Sequence, residues 1–306
     1  KHLRCHSNNY LRPRKSYQKQ LHPKHGFLNE DATGKEERSF PAQCTVFRLI
    51  QWASGLLQKY RIETPRLDAE VILAHIQECE RVDFHIHPEK PVEDATAIRF
   101  KEAIQKRIQR VPVQYITHHA EFMSLDFYVD ERVLIPRPET ELLVEAILKK
   151  RHLLSGEREI VVVDIGAGSG NISVTLAKKI HNTRIFAMDI SEDALAVAKI
   201  NAQKHQVLNK ITFLCGDIYK PLKGYEMESR VHFIVSNPPY IAQHEFDTLQ
   251  EEVRNFEPYG ALISGHDDLS MFKGIIRDVQ IWLKPGGFII FEVGEKQACK
   301  VAQLLE

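Results

Sequence analysis

An excess of charge of either sign is missing from this chain. Its 41 Lys and Arg balance 41 Asp and Glu, for a formal net charge of +0 over 306 residues. General nucleic-acid binders carry a basic surplus, so that class is disfavoured, though a local basic patch is compatible with the balance. Cysteine is scarce. Cys5, Cys44, Cys79, Cys215 and Cys299 are odd in number and include no close pair. That pattern offers neither a disulfide framework nor a zinc site, and reduced thiols in a cytoplasmic setting are the expectation. No apolar run reaches the roughly 18 residues a membrane span needs, and no secretory signal is visible. The 15 histidines are scattered, with only His118 and His119 adjacent. No Ser/His/Asp arrangement stands out, so neither a metal site nor a nucleophilic triad is expected.

What is present divides into four stretches. Residues 1–43 carry basic and amide side chains without apolar periodicity, nine Lys and Arg against four Asp and Glu up to Phe40. This start reads as a disordered, solvated tail. From residue 44 apolar residues recur at helical spacing (Val46, Leu49, Ile50, Ala53, Leu56, Leu57). Thr64-Pro65 then supplies a cap and a first helical position for a second helix. A third is expected over residues 92–110, giving a small helical domain over 44–112. Alternation from Phe122 to Val129 predicts a β-hairpin in a linker, 113–140, that ends in a proline-stiffened run in which Thr140 caps the next helix. From 141 to 306 apolar strands (160–164, 184–189, 211–215, 231–236, 288–293) alternate with helices. Such fully apolar strands mean a mostly parallel sheet covered on both faces, with the ligand at the carboxyl ends of the strands.

Two motifs lie at such ends. Asp164 precedes Gly166-Ala167-Gly168-Ser169-Gly170, which follows the first strand and opens a helix. The glycine spacing is not the one that seats a pyrophosphate on a helix end, so a dinucleotide is disfavoured. Asp189 ends the second strand, where a carboxylate accepts from both hydroxyls of a ribose. Asp217, just past the third strand, is placed to accept from an adenine amino group, with Ile218 beside the ring. The second motif, Asn237-Pro238-Pro239-Tyr240, ends the fourth strand. A carboxamide nitrogen is a poor nucleophile because its lone pair is delocalised. The Asn237 side-chain oxygen and the Pro238 carbonyl are two acceptors for its N–H groups, the prolines hold them rigidly, and Tyr240 covers the planar face. Together the motifs predict methyl transfer to nitrogen from S-adenosylmethionine.

The chain resembles the HemK/PrmC family of peptide chain release factor glutamine N5-methyltransferases. The likeness rests on Arg110 to Ile116 (Arg-Val-Pro-Val-Gln-Tyr-Ile), Leu134 to Glu141 (Leu-Ile-Pro-Arg-Pro-Glu-Thr-Glu), residues 164–170, Asn237 to Tyr240, Glu257-Pro258 and the run from Thr64 to Glu70. It covers residues 44 to 306. The resemblance implies a class I S-adenosylmethionine-dependent methyltransferase, Rossmann-like, with an N-terminal helical domain and a hairpin linker. It implies the glutamine of a Gly-Gly-Gln loop in class 1 release factors as substrate. It carries the cofactor role onto residues 166–170, Asp189, Asp217, Ile218 and Asn237, and the glutamine-binding role onto residues 237–240. The segment from Arg137 to Glu141 is closer to the release-factor subfamily than to the ribosomal-protein glutamine methyltransferases. Two features depart from the family: Thr117-His118-His119 stands where a glycine is common, and the sheet lacks a final antiparallel hairpin, so the chain is expected to be a piece of a longer protein. A monomer without a direct nucleic-acid substrate is expected. The alternatives are a ribosomal-protein glutamine methyltransferase, a methyltransferase for adenine N6 or guanine N2 of a flipped base, and a silent module that docks on release factors.

Overall fold

Thr45 opens the first helix, α1 (Val46–Lys59), by accepting the Arg48 N–H on its side chain. The computed structural model, in which this is seen, describes residues 40–306 apart from Ala42, Ser155 and His266. The tail expected over 1–43 therefore lies almost wholly outside the described residues. Next comes α2 (Pro65–Gln77), with Pro65 at its first turn as expected. Thr64 does not cap it. Its hydroxyl donates to Asp68 Oδ1 at 2.6 Å, and its oxygen accepts no N–H of the first turn. A short α3 (Val82–Ile86) was not anticipated, since five residues carry no readable period. Then follow α4 (Asp94–Ile108) and α5 (Val113–Thr117). Leu49, Leu57, Ile72, Leu73, Phe100 and Ile104 are fully buried between these helices, and Val113 and Ile116 pack on the same core. The sequence places Val113–Thr117 in the linker, whereas the fold adds it to the helical module. The Pro112 carbonyl accepts the Tyr115 and Ile116 N–H groups and starts a further helical turn.

The hairpin pairs β1 (His119–Phe122) with β2 (Leu125–Tyr128), starting three residues before the alternation that announced it. Its turn residues Met123 and Ser124 both have positive φ, 53° and 62°, the conformation of the two-residue hairpin turn that Gly and Asn usually supply. Two carboxylates hold it instead: Glu141 accepts the Met123 N–H and Glu121 the Ser124 N–H, both at 2.6 Å.

Beyond it the chain alternates: α6 (Glu141–Lys150), β3 (Ile160–Ile165), α7 (Asn171–Lys179), β4 (Thr183–Asp189), α8 (Glu192–Lys204), β5 (Ile211–Cys215) and β6 (Val231–Ser236). There follow α9 (Glu251–Phe256), α10 (Tyr259–Leu262), α11 (Ser270–Trp282), β7 (Leu283–Phe291) and α12 (Ala298–Leu305). The strands lie in the order β5-β4-β3-β6-β7, and every pair is parallel. Every residue of β3 and β6 is buried, each large apolar side chain contributing about 1.5–3 kcal/mol by leaving water. The last strand begins five residues earlier than expected. Val231 already pairs with Leu283, and Pro285-Gly286-Gly287 sits within the strand as an irregularity before Phe233 pairs with Phe288.

An ionic network joins the helical module to the sheet domain. Arg107 Nε donates to Asp68 Oδ2 at 2.7 Å, and its two terminal nitrogens donate to Glu252 Oε1 at 3.2 Å. Arg110 adds a third donor to the same oxygen. Arg107 and Asp68 are buried, so the network fixes α9, and with it the segment after Asn237 to Tyr240, against α2 and α4.

Candidate active site

Strands β3 and β6 are neighbours although β4 and β5 separate them in sequence. The chain reverses its direction of travel across the sheet between them, which opens a crevice at their carboxyl ends. Ile165 and Ser236 are register partners, and the Ser236 hydroxyl donates to the Ile165 carbonyl at 2.6 Å. Gly166 and Asn237 therefore leave the sheet side by side. A Cβ built on Gly166 would stand 3.9 Å from the Asn237 carbonyl oxygen. Gly170 is the N-cap of α7 with φ +78°, and a Cβ there would come within 3.0 Å of the Ala198 Cβ. It must be glycine both for its left-handed backbone and for the close approach of α8.

Beneath the loop Asp164 is wholly buried. The Ser173 hydroxyl donates to its Oδ2 at 2.6 Å, while Oδ1 has no hydrogen-bond partner among the described residues. Burial lifts its carboxyl to about 7, against the Ser173 hydrogen bond. Across the crevice Asp189 accepts the Gly168 N–H on Oδ2 and the Ser191 N–H on Oδ1, each at 2.9 Å. Burial pushes its carboxyl up as well. These two bonds orient the carboxylate and leave lone pairs on both oxygens. A pair of ribose hydroxyls meets the same carboxylate that shapes the glycine loop.

Asp217 stands at the end of β5 as expected, but exposed, with its carboxylate paired to Lys220 Nζ at 2.7 Å. Ile218 turns inward. Its Cδ1 lies 2.8 Å from where a Cβ on Gly274 would stand, so its side chain packs on α11. The apolar side chain left open beside Asp189 is Ile190, 70% exposed. Sequence reasoning passed over it. The signal was available: a bulky apolar residue directly after a strand-end carboxylate, where the chain leaves the sheet.

The elbow formed by residues 237–240 is held from two sides. Asn237 Nδ2 donates to Thr140 Oγ1 at 3.1 Å, and Thr140 Oγ1 donates to Glu292 Oε2 at 2.6 Å. Thr140 thus does not cap α6 through its side chain. Its hydroxyl is committed to the elbow, and its backbone is already helical (φ −64°, ψ −20°), not extended as a capping residue is. Gln297 donates from Nε2 to the Tyr240 carbonyl at 2.8 Å and to the Asp268 carbonyl at 3.2 Å. Apart from the elbow, Glu257 accepts from Arg137 at 2.6 Å and from the Ile135 N–H at 3.4 Å, which ties the proline-rich segment to the end of α9. Burial raises the Glu257 carboxyl, with Arg137 opposing. Pro238 is buried, and Asn237, Pro239 and Tyr240 are half-buried. Burial and the nearby Glu292 charge raise the Tyr240 phenol. Glu292 and Gln297 were missed, since nothing local distinguishes them from other polar residues near a strand end.

A cavity of about 1300 Å³ opens between the helical module and the sheet domain. It does not include the elbow. It does reach Arg137 and Pro138, two residues short of Thr140. The His118-His119 pair does not act as one unit. His119 binds Asp126 at 2.9 Å and lines that cavity, whereas His118 binds the Val129 carbonyl. Among the described residues no group of three or more His, Cys, Asp and Glu is placed to hold a metal ion.

Two family models match in succession. The PrmC N-terminal domain matches residues 48–117 and the Methyltransferase small domain matches residues 138–256. A release factor glutamine methyltransferase of Rhodopirellula baltica is 39% identical over 258 residues, 84% of this chain and 86% of the relative. The chain belongs to the release factor glutamine methyltransferase family. Members from Chlorobaculum tepidum and Bacillus subtilis are 36% and 37% identical, each over 85% of this chain and 89% of its own length. The first matched segment ends at Thr117, where α5 ends.

The family uses S-adenosylmethionine, and the residues present fit it. The backbone over Gly168 is open, with nothing within 4 Å of a Cβ built there. Asp189 offers an oriented carboxylate with lone pairs to spare, and Ile190 offers an uncommitted apolar surface. No helix among the described residues is long and apolar enough to cross a membrane.

Proposed function

We propose that this chain methylates the side-chain amide nitrogen, N5, of a glutamine in the Gly-Gly-Gln loop of a class 1 peptide chain release factor. Bound at the strand ends, S-adenosylmethionine supplies an electrophilic methyl group on a sulfonium. Residues 166–170 line its path, Asp189 accepts its ribose hydroxyls, Ile190 covers an adenine face, and Asp217 takes the adenine amino group. Asn237 Oδ1 and the Pro238 carbonyl accept the two N–H groups of the substrate amide, with Tyr240 over its plane. Held this way, the nitrogen faces the crevice between Gly166 and Asn237. No resident base is required, because the methylated nitrogen is cationic and sheds its proton readily. Orientation by a rigid elbow is a large part of the rate, worth about 7 kcal/mol or more in well-aligned cases.

The observation that carries this reading is the juxtaposition of Gly166 and Asn237 on adjacent strand ends, with Asn237 Nδ2 tied back to Thr140. That tie leaves the amide oxygen for the substrate. The cavity beside Arg137 is the approach for a protein loop, and the neutral charge balance favours protein over nucleic acid as partner. A monomer in a cytoplasmic compartment where translation terminates completes the proposal. The test is incubation of the purified chain with labelled S-adenosylmethionine and a class 1 release factor, DNA or ribosomal RNA, followed by mass spectrometry of the Gly-Gly-Gln peptide. One methyl group on that glutamine is expected. Label in DNA or RNA, or in no release-factor glutamine, would sink it.

A further inference from the structure

We infer that Thr140 and Glu292 are positioning residues that decide which end of the Asn237 amide faces the incoming glutamine. The inference rests on the role given to Asn237 above and deepens it. An amide side chain has nearly the same shape after a half-turn about its last bond, but its chemistry is reversed. With the oxygen toward the crevice, Asn237 accepts a substrate N–H. With the nitrogen there, two donors face each other and the substrate amide is repelled. Packing alone scarcely distinguishes the two arrangements, so something with a sense of direction must choose.

A hydroxyl supplies that direction, because it has one proton. Thr140 is 1% exposed, so water does not compete for it. Its Oγ1 stands 2.6 Å from Glu292 Oε2, and a proton given to a carboxylate makes the stronger, charge-assisted bond. The remaining lone pairs of the hydroxyl only accept. At 3.1 Å from Oγ1 the Asn237 amide must therefore present its nitrogen. Its oxygen is left pointing the other way. Glu292 is itself placed by the sheet. It follows β7, and its own N–H donates to the Ser236 carbonyl at 3.0 Å, one residue before Asn237. The neighbouring cation, Arg137, is already engaged by Glu257 at 2.6 Å, which leaves the Glu292 carboxylate to the Thr140 hydroxyl and to the Asn237 amide N–H, both of which call for the nitrogen on this side. The direction of the catalytic amide thus comes from residues 97 positions before and 55 positions after it.

The experiment compares the wild-type chain with Thr140→Ser, Thr140→Val, Glu292→Ala and the Thr140→Val/Glu292→Ala double variant. Steady-state methylation of a class 1 release factor and cofactor binding by calorimetry are measured on each. Thr140→Val and Glu292→Ala are expected to lower kcat by about tenfold to a hundredfold with KM little changed. Cofactor affinity should stay within about twofold, and Thr140→Ser should retain most activity because it keeps the hydroxyl. The double variant should be slower by less than the product of the two single losses, since both changes act on one orienting cluster. Wild-type kcat in Thr140→Val, equal damage in Thr140→Ser, or losses that multiply in the double variant would each overturn the assignment. Should Thr140→Val melt below the assay temperature, Glu292→Ala and Thr140→Ser decide it. An Asn237→Ala control separates the two readings. If it is inactive while Thr140→Val is normal, only the orienting role fails; if it turns over normally, the role of Asn237 itself fails.

Discussion

The two halves of the site are built in opposite ways. The cofactor half is local. Asp164 reaches Ser173 nine positions on, and Gly168 reaches Asp189 across 21. Its shape follows from glycines, two strand ends and the two helices after them, all within residues 164–201. The substrate half is assembled from far away. Asn237 is tied to Thr140 across 97 positions, Thr140 to Glu292 across 152, and the Tyr240 carbonyl to Gln297 across 57. A loop that binds one invariant cofactor can be written into a short stretch. An elbow that must present an amide in one sense needs partners from both flanks, and a parallel sheet brings those flanks together only at its switch point.

The largest expected effect falls on the long-range half. Arg107→Ala leaves Asp68 buried without its cation and frees Glu252 from one of its two arginines, a loss of about 3 to 5 kcal/mol by analogy with other broken buried pairs. Chemical denaturation checks it, and a release-factor KM that rises in step would show that α9 needs the helical module to hold its place. Next is Asn237→Ala, which should cut turnover by about a hundredfold to a thousandfold, the scale of a lost oriented polar group at a reacting centre. Cofactor affinity should barely change; near-normal methylation of the release factor would remove Asn237 from the chemistry. Asp189→Ala is the matching change in the local half. It should weaken cofactor binding by about 1.5 to 3 kcal/mol, the range for hydrogen bonds to a charged group, with calorimetry as the readout. Equal damage to kcat with unchanged affinity would mean that the two halves are not separable.

The smallest effect concerns pH. Asp164 has a folded pKa near 7, above its unfolded value, so the folded state holds the proton and stability is lost as pH rises through that range. From about pH 6 to about pH 8 the loss from this one group is on the order of 1 kcal/mol. Thermal melts across that range should show the slope in the wild type and a flatter profile in Asp164→Asn. An unchanged slope in the variant would place the titration elsewhere.

Much of the fold was legible because period and burial agree. The predominantly apolar runs at residues 160–164 and 231–236 are strands with every residue buried. The helical spacing from Val46 became α1 with Leu49 and Leu57 at its core. Errors came where a local preference met a distant partner. Thr64 and Thr140 both look like caps, and both give their hydroxyl protons to carboxylates. Met123-Ser124 lacks the residues that a tight hairpin turn favours, yet two glutamates stabilise it.

Composition and motif spacing by themselves determined the class of fold, the cofactor loop and the elbow, because glycine, proline and apolar periodicity act through the backbone within a few residues. Only the tertiary structure decided what orients the elbow. A hydrogen bond has a direction and a reach of about 3 Å, and no one-dimensional pattern says which of many polar side chains will be brought within that reach.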